Sequence, residues 1–594
     1  MAALARRYKN LLFFIPASWD GVDQAAFASP CKLGPPAPIL TRFASLGTSE
    51  VEDLMSTHAS RLCSASALRL RFLLASIFLM AVITGCGSGG GASSTPPPFS
   101  GNTQVTVALT STANDQLTEF NFGFTSIKLT GQSGTTVSLL DEPQNSSDVA
   151  ELVHVNGGLD PLVTVSIPQG IYTAATVQIL GGSSFDCVTF APPSSQESGS
   201  LWIDEFAYGY VPNNMVNVNL PAPITVTGPS MGLLMDLNVA QSATYPSCGP
   251  DFNIGPFSIT PTFDLTPLVI SPAPTNSQNG KVAGVNGEVT AIGAGDSFTL
   301  TLAEGPRTLS IIADGSTLYQ GISGFSALTV GTFVNMDGAI QADGSLLATR
   351  VAVEDPSALD VLVGPVLQVT AAQPVGNLPA ALFYNQQSEG KDEIGDAPPY
   401  SISDSLFEVS GELNNVQSLP FVATFNGTNM VAGQNVYVTS TTISLTGGVP
   451  WAPATTITLL PQTINATISD SSNVARFTDY SVTLAPYDLF PTLAMQSGQT
   501  NILTNPSQVE VYVDHSTQML NSQPLAAGGN FRFYGLVFND NGTLRMDCAQ
   551  VSDGVAFTPP PPTSNAQMEA GRVQTIHHAG PAGMRKTVTV THTQ

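Results

Sequence analysis

The sequence predicts an all-β protein, with an N-terminal β-sandwich followed by two or three small β-barrel-like repeat domains. Apolar and polar residues alternate over many short segments, and Gly (53) and Pro (44) are both abundant. Strict alternation is typical of strands with one buried face. Charged residues make up only 11% of the chain, whereas charge-rich helical proteins need many Glu and Lys residues. The 594 residues allow about four domains of roughly 150 residues each.

The N-terminal region contains a segment with the features of a bacterial export signal. Arg69 and Arg71 precede an apolar run, Phe72–Ile83. The run is too short for a membrane-spanning helix, which needs about 20 residues, but it suits the apolar region of a secretory signal. It ends in Ile83–Cys86 (ITGC), which resembles the lipobox of bacterial lipoproteins.

The lipobox resemblance implies cleavage after Gly85, a diacylglyceryl thioether on Cys86 and acylation of the new amino terminus. Several acyl chains on one residue suffice for stable membrane anchoring. By the same resemblance, Gly87 at the position after the cysteine favours the outer membrane over the inner membrane. We therefore expect a protein that is exported and lipid-anchored to the bacterial cell envelope.

The expected signal peptide occupies residues 55–85 and begins at Met55. We interpret residues 1–54 as a mis-annotated upstream extension, and a genuine N-terminal extension is the alternative. Without residues 1–85 the chain has 39 acidic and 11 basic residues, and its formal charge changes from −25 to −28. Such a surface repels anionic lipid and DNA. We therefore expect a covalent attachment to the membrane and no nucleic-acid partner.

Composition divides the remainder into segments. Residues 86–102 form a Gly/Ser/Pro tether with an expected reach of roughly 20 Å. Alternating patterns predict a series of strands over residues 103–270, and residues 271–280 form a Pro/Asn/Ser linker. Residues 555–594 begin with a run of prolines and continue with polar and basic residues, which predicts a disordered tail.

Three stretches of the sandwich segment carry a family resemblance. They are VALTSTANDQLTEFNFGFTSIKL near its start, GLLMDLNVAQS (Gly232–Ser242) and FSITPTFDLTPL (Phe257–Leu268). Together they resemble domain-of-unknown-function family 4382, which is common in bacterial lipoproteins. The resemblance implies a β-sandwich and brings no established active site.

The segment after the linker carries a second pattern. Its motifs are Gly284-x-x-Gly287, Asp314-x-Ser316-Thr317, Val330-Gly331 and Asp343-Gly344. They resemble domain-of-unknown-function family 5666, whose small domains are expected to be five- or six-stranded barrels. The pattern recurs at Asp514-x-Ser516-Thr517, and more weakly at residues 431–436. We therefore predict repeats at residues 281–356, 357–460 and 461–554, of which the middle one is divergent.

The match between the first and third repeats includes two pairs of glycines. Gly535 corresponds to Gly338, and Gly542 corresponds to Gly344. One additional residue lies between the two glycines of the third repeat. We attribute it to a β-bulge.

A G-x-S-x-G pattern at Gly228–Gly232 would make Ser230 the nucleophile of a cryptic hydrolase. That motif requires a preceding strand and a following helix. Residues 233–239 are instead predicted to form another strand, which favours a tight turn at this position. We therefore expect no catalytic residue and no enzyme activity.

The histidine and acidic patterns predict neither a metal site nor a cofactor. His154 stands alone on a predicted strand, and His577-His578 lies in the tail. Residues 539–542 (NDNG) and Asp343-Gly344 resemble fragments of calcium loops but lack the complete spacing. Asp-Gly and Asn-Gly pairs are also typical of hairpin turns.

Three cysteines follow Cys86. Cys187 and Cys248 lie in the same predicted domain, each in a loop-like context. Because the exported space permits disulfides, we expect these two to pair, with a stabilisation of roughly 4 kcal/mol. Cys548 lies on a predicted strand and is expected to be a buried free thiol.

The functional prediction is a non-catalytic, lipid-anchored cell-envelope protein that serves as a binding or surface-interaction module. Its expected partners are the membrane, through Cys86, and an envelope protein or a glycan of unknown identity. The first alternative is a carbohydrate-binding adhesin, for which Asp204-Glu205 and the neighbouring aromatic residues would form a sugar platform. A strand packed by those aromatics explains the same residues. The cryptic hydrolase is the second alternative.

Overall fold

The fold class predicted from the sequence is confirmed by the computed structural model, which consists almost entirely of β-strands. All of the described residues belong to one compact unit, residues 95–594. The structure describes residues 99–112, 117–142, 149–190, 201–209, 215–244, 258–270, 279–303, 305–357, 359–370, 380–386, 394, 398–413, 416–441, 452–485, 488–494, 503–555, 574–579 and 585–590. No helix among these residues is long and apolar enough to cross a membrane.

The N-terminal domain is a β-sandwich. Its strands are β1 (Asn102–Thr112), β2 (Leu117–Gly131), β3 (Thr136–Asp141), β4 (Val149–Glu151), β5 (Asp160–Pro168), β6 (Gly170–Phe190), β7 (Leu201–Gly209), β8 (Met215–Val218), β9 (Ile224–Val226), β10 (Ser230–Asn238), β11 (Ala243–Thr244), β12 (Ser258–Ile259) and β13 (Phe263–Pro267). A short helix, Val239–Ser242, follows β10. One sheet has the order β13-β10-β1-β5, and the second has the order β3-β2-β6-β7 with β4, β8 and β9 added to it.

The sandwich core lies between these two sheets. Val105 and Val107 of β1 are fully buried and face residues such as Ile127 of β2 and Val177 of β6. The rings of Phe124 and Phe263 bridge the sheets edge to face, with 5.9 Å between their centroids. The alternating pattern of the sequence thus places one apolar face of each sheet inside.

Three six-stranded domains follow. The first contains β14 (Lys281–Ile292), β15 (Ser297–Leu302), β16 (Thr308–Ile312), β17 (Leu318–Gln320), β18 (Phe333–Ile340) and β19 (Leu346–Val353). The second contains β20 (Leu359–Thr370), β21 (Ala380–Phe383), β22 (Pro399–Ser401), β23 (Leu406–Val409), β24 (Asn435–Thr441) and β25 (Ala452–Leu459). The third contains β26 (Gln462–Val474), β27 (Phe477–Leu484), β28 (Gln508–Val513), β29 (Gln518–Met519), β30 (Asn530–Asp540) and β31 (Thr543–Asp553). We call them barrels 1, 2 and 3.

All three barrels share one topology. The first three strands form a meander, the fifth strand of the domain pairs with the first, and the sixth closes the barrel by pairing in parallel with the third. The remaining short strand (β17, β23 or β29) lies parallel to the closing strand. This arrangement is a five-stranded Greek-key barrel of the OB type with one added strand.

A left-handed glycine occurs at the same place in each barrel. Its φ angle is 88°, 93° or 82°, and its N–H donates a 2.8 Å hydrogen bond to a carbonyl of the first strand. The glycine and its acceptor are Gly331 and Val289, Gly433 and Val366, and Gly528 and Ile468. The weak sequence match of the middle repeat therefore reflects a real structural equivalence.

The matched glycines Gly338 and Gly535 both lie at a bulge in their barrel, so a bulge does not explain the extra residue of barrel 3. That expectation was wrong. In barrel 1 the hairpin pairing ends at Ile340 and Leu346. In barrel 3 the pairing continues to Asp540 and Thr543, and a two-residue Asn-Gly turn closes the hairpin.

Strand β30 is buried on both faces. Phe533 and Val537 pack in the core of barrel 3, whereas Tyr534, Leu536 and Phe538 pack in the core cluster of barrel 2. Two-sided burial matches its nearly continuous apolar sequence. Barrels 2 and 3 therefore share an apolar interface.

Outside these domains, β32 (Gln574–Ala579) and β33 (Arg585–Val590) form an antiparallel hairpin. The sequence predicts disorder for this tail. Alternating Thr and Val residues in the second strand explain why a short ladder forms there. Two further helical segments are the 3-10 turns Phe325–Ala327 and Val416–Ser418, and an α-helix spans Leu489–Ala494.

Candidate functional site

A cleft lies where the sandwich, barrel 2 and barrel 3 meet. It is small, with a cavity volume of about 60 Å³, and it opens to solvent. The sandwich contributes Leu117, Val153, His154 and Asn156; barrel 2 contributes Pro365, Gln386, Gly433 and Asn435; barrel 3 contributes Gln462, Thr463, Ile464, Asp488, Leu489 and Phe490. Ligand sites commonly form at such domain junctions.

The sandwich wall of the cleft is a turn that follows β4. His154 lies in this turn and not in a strand, so the prediction for His154 was wrong. The chain reverses there because Gly157 adopts a φ of +82°. Gly157 also packs closely on barrel 3, since a Cβ atom there would lie 2.5 Å from Oγ1 of Thr463. The turn is therefore held against barrel 3.

Hydrogen bonds between domains fix the position of the cleft walls. Oγ1 of Thr463 donates to the carbonyl of Asn156 at 2.8 Å. Gln462 bridges barrels 2 and 3, because its Oε1 accepts from the backbone N–H of Asn435 at 2.9 Å and its Nε2 donates to the carbonyl of Gly433 at 3.0 Å. These bonds preorganise the site without using the side-chain amide of Asn435.

Gly433 has no space for a side chain. A Cβ atom there would lie 2.9 Å from Cδ2 of Phe490 and 3.0 Å from its carbonyl oxygen. The same glycine has the left-handed backbone conformation that recurs in all three barrels. Gly433 therefore has two roles: it forms the recurrent turn of the barrel, and its missing side chain lets the helix Leu489–Ala494 pack against barrel 2 as the floor of the cleft.

The cleft has little charge. Asp488 is its carboxylate and His154 is its basic side chain, and the other lining residues are amides, a hydroxyl, glycine and apolar groups. No Lys or Arg is among them. The site therefore suits uncharged polar groups better than anions.

Most basic side chains of the described residues join two domains. Arg307 forms a buried ion pair with Glu142 at 3.6 Å, and Arg476 donates to Oγ of Ser418 at 2.6 Å. The guanidinium of Arg545 lies 5.6 Å from the ring centroid of Phe421. Two further contacts of this kind link Arg532 to Oδ1 of Asn156 and Lys281 to the carbonyl of Glu412. The sparse basic charge thus stabilises domain interfaces.

Barrels 1 and 2 meet at a polar junction around Glu412. The surrounding residues exclude water from the partly exposed carboxyl group of Glu412, and this desolvation raises its pKa to about 7. Lys281 opposes that shift, and Asp337 adds to it. Burial in turn lowers the pKa of Lys281. The junction is therefore sensitive to pH near neutrality.

A second titratable pair lies on the outer face of barrel 3. Desolvation and the neighbouring Glu510 raise the pKa of Asp479 to about 6. Oγ of Ser481 donates to Oε2 of Glu510 at 2.7 Å. Asp479 therefore takes up a proton at mildly acidic pH. The sequence offers no local indication of this pair, because strand register alone brings the two residues together.

Ser230 is the first residue of β10 and is followed by strand, not by helix. Gly228 precedes it with a φ of +79°. The carbonyl of Gly228 accepts hydrogen bonds from Oγ1 of Thr103 at 2.7 Å and Nε2 of Gln169 at 3.0 Å. The G-x-S-x-G pattern here marks a turn between β9 and β10, as the sequence favoured.

The predicted cysteine sites have different outcomes. Cys86 and Cys248 lie outside the described residues, so lipidation and the disulfide stay predictions. Cys187 lies in β6 opposite Asp204 of β7 and not in a loop, because the alternating sequence SSFDCVTF extends that strand. Cys548 is a buried free thiol as predicted, and burial raises its pKa.

The two calcium-loop fragments form hairpin turns. Oδ1 of Asp343 accepts from the N–H of Ser345 at 3.0 Å, and Asp540 forms an ion pair with Arg545 at 3.0 Å. Among the described residues, no group of three or more His, Cys, Asp or Glu side chains is arranged to hold a metal ion. Asp204 and Glu205 of the proposed sugar platform lie in β7.

The cleft residues were not found from the sequence. Asn435, Gln462 and Phe490 lie in different repeats or segments, and no spacing rule connects them. The one local indication is Gly433, because a glycine in a left-handed conformation allows close backbone approach.

Comparison with known proteins yields a family match for part of the chain and likenesses to solved structures. Residues 286–352, within barrel 1, match the family model Domain of unknown function (DUF5666). No curated protein matches the chain. A deletion mutant of the single-stranded DNA-binding protein from Thermus aquaticus is 13% identical, with 34% of this chain and 97% of that chain covered, at a TM-score of 0.13.

Proposed function

We propose that this protein is a non-catalytic, lipid-anchored binding protein of the bacterial cell envelope, whose ligand enters the cleft between the sandwich and barrels 2 and 3. The observation that carries the binding role is the construction of that cleft. Three domains form its walls, and hydrogen bonds from Gln462 and Thr463 hold them in place. Preorganised walls lower the entropic cost of binding.

The anchoring part of the proposal rests on Ile83–Cys86 and the Gly/Ser/Pro tether. The folded body starts with β1 at Asn102, shortly after the proposed lipidated residue, Cys86. A tether of this length keeps the body within roughly 20 Å of the membrane. Gly87 supports the outer membrane as its location. The family 4382 resemblance of residues 103–270, common among lipoproteins, agrees with this assignment.

Lipidation is tested by expressing the full-length gene in a Gram-negative host and measuring the intact mass of the membrane fraction. We expect a mature chain that starts at Cys86 and carries the added mass of its acyl chains. Cys86→Ser should abolish the added mass and the membrane association, whereas Cys63→Ser, in the removed segment, should change neither. An acyl-free wild-type protein, or one with the same N-terminus as Cys86→Ser, contradicts the anchor.

A further inference from the structure

We infer that the four domains form two rigid pairs, and that these pairs move apart along the polar boundary between them. The N-terminal pair is the sandwich with barrel 1, and the C-terminal pair is barrel 2 with barrel 3. The cleft lies on the boundary, because the sandwich forms one wall and barrels 2 and 3 form the others. The inference rests on the proposed binding function and adds how a ligand gains access to the cleft.

The closed cleft is too small for an organic ligand. Its cavity volume is about 60 Å³, whereas ordinary ligand sites have roughly 300–1,000 Å³. Separation of the two pairs widens it, since its walls belong to different pairs.

Apolar contacts hold each pair together. Ala108 of the sandwich is fully buried in the core cluster of barrel 1, and Leu159 and Leu268 of the N-terminal domain pack against the same cluster. In the C-terminal pair, Leu536 and Phe538 of barrel 3 belong to the core cluster of barrel 2. Among the described residues, no apolar core cluster contains residues of both pairs. The burial of apolar area therefore resists separation within a pair more than between the pairs.

Polar groups make the contacts across the boundary. The hydroxyl of Tyr437 in barrel 2 accepts from Nδ2 of Asn335 at 3.1 Å and from Nδ2 of Asn286 at 3.4 Å, both in barrel 1. Oγ1 of Thr463 in barrel 3 donates to the carbonyl of Asn156 in the sandwich at 2.8 Å. Water replaces such bonds when an interface opens, so each contributes little net free energy to closure. Polar interfaces between domains of one chain permit relative motion.

A single connection between successive domains joins the two pairs. Strand β19 ends barrel 1 at Val353, and β20 begins barrel 2 at Leu359. Asp355, Pro356 and Ser357 between them are exposed, and Oδ1 of Asp355 accepts from the N–H of Ser357 at 2.9 Å. Hinges are commonly a few residues at the ends of elements, which absorb the change in backbone angles. We therefore place the hinge in this turn.

Glu412 makes the opening depend on pH. Its carboxyl group interacts with Lys281 and Asp337 of barrel 1 and with Tyr534 of barrel 3, and Lys281 also attracts Asp547 of barrel 3. Exclusion of water raises the pKa of Glu412 to about 7, and Lys281 opposes this shift. Opening returns the carboxyl group to water, where its pKa is 4.5, so the open form releases a proton. A rise in pH from about 4.5 to 7 therefore favours opening.

Thiol labelling of the mature lipoprotein in detergent micelles measures the opening. Asn286→Cys puts a thiol at the buried polar boundary. Ala108→Cys and Ala549→Cys put thiols at the buried apolar contacts within the N-terminal and the C-terminal pair. Peptide mass spectrometry distinguishes each introduced thiol from the native cysteines. We expect the Asn286→Cys thiol to react at least about tenfold faster than the other two, because separation of the pairs exposes it alone.

The pH dependence separates the role of Glu412 from the motion itself. After correction for thiol ionisation with a cysteine peptide, the rate for Asn286→Cys should rise by up to about tenfold per pH unit and level off above pH 7. Added Glu412→Gln should remove this rise, whereas Glu408→Gln, at an exposed position of β23, should keep it. If the unfolding midpoint shows that Asn286→Cys does not fold, Asn335→Cys on the paired strand takes its place.

Two results contradict the inference. Equal corrected rates at the boundary and at the two apolar contacts would mean that the pairs do not separate before the domains unfold. A rate at the boundary that is independent of pH, or unchanged by Glu412→Gln, would exclude Glu412 from control of the opening. No ligand takes part in this measurement, so failure of the opening and failure of the proposed binding function are recognised separately.

Discussion

The hydroxyl of Tyr384 in barrel 2 donates a 2.9 Å hydrogen bond to Oε2 of Glu119 in the sandwich. The two residues are 265 positions apart, and both are buried, with 0% and 5% exposure. A buried carboxyl group needs hydrogen-bond partners to offset its desolvation. This bond therefore fastens the first domain to the middle barrel near the cleft.

Tyr384→Phe removes the hydroxyl and keeps the ring. We expect a loss of about 1–3 kcal/mol in the free energy of unfolding, because a buried acceptor loses its donor. Urea denaturation of the full chain measures it. Tyr480→Phe is the matched control, since Tyr480 is a partly exposed tyrosine of barrel 3. Equal stability of Tyr384→Phe and wild type would show that the bond contributes nothing.

The repeated turn gives a second prediction. In barrel 3, Oγ1 of Thr517 accepts from the N–H of Asp514 at 3.1 Å and donates to the carbonyl of Cys548 at 2.8 Å. In barrel 1, Thr317 makes the same two bonds, to Asp314 at 3.0 Å and to Ala348 at 2.8 Å. Barrel 2 keeps part of this pattern, because Oγ of Ser405 donates to the carbonyl of Ala454.

Thr317→Val and Thr517→Val should each destabilise the protein by about 1–3 kcal/mol, since valine keeps the shape and loses both hydrogen bonds. Because the two sites are equivalent, their effects should be similar. Thermal unfolding followed by circular dichroism is the measurement, and Thr290→Val, at an exposed site, should change the midpoint little. A large loss of stability from only one of the two substitutions would mean that the turn stabilises one barrel and not the other.

The Glu412 junction predicts a dependence of stability on pH. The pKa of this carboxyl group rises from 4.5 to about 7 on folding, so the folded state binds more protons between those values. Stability therefore falls as pH rises from about 4.5 to 7, and below 4.5 this contribution is constant. Asp479, whose pKa rises to about 6, acts in the same direction.

Glu412→Gln should remove the contribution of Glu412 to this slope, because glutamine does not titrate. Urea unfolding at intervals from pH 4 to pH 8 compares the variant with wild type and with Glu408→Gln, an exposed glutamate of β23. A profile for Glu412→Gln that is parallel to wild type would exclude the junction as a source of the pH dependence.

Local patterns predicted much of the fold. Alternating residues such as Val105 and Val107 indicated strands with one buried face, and burial in the sandwich core agrees. The D-x-S-T motif and the recurrent glycines predicted the repeats, because each motif is satisfied by hydrogen bonds within its own barrel. Two predictions were wrong: that His154 lies on a strand, and that a bulge explains the extra residue of the third hairpin. Both features depend on backbone conformation and strand register, which the local pattern does not determine.

The sequence by itself determined the all-β class, the repeated barrels and the acidic character, because period-two patterning, turn residues and charge counts are local properties. Only the tertiary structure decided how the domains are joined and where a ligand could enter. The cleft brings His154 together with Asn435 and Phe490, and Gly344 packs directly against the backbone of Met231. Such contacts depend on complementary shape and hydrogen bonding between segments far apart in the chain. The sequence around one residue does not indicate which distant residue it will contact.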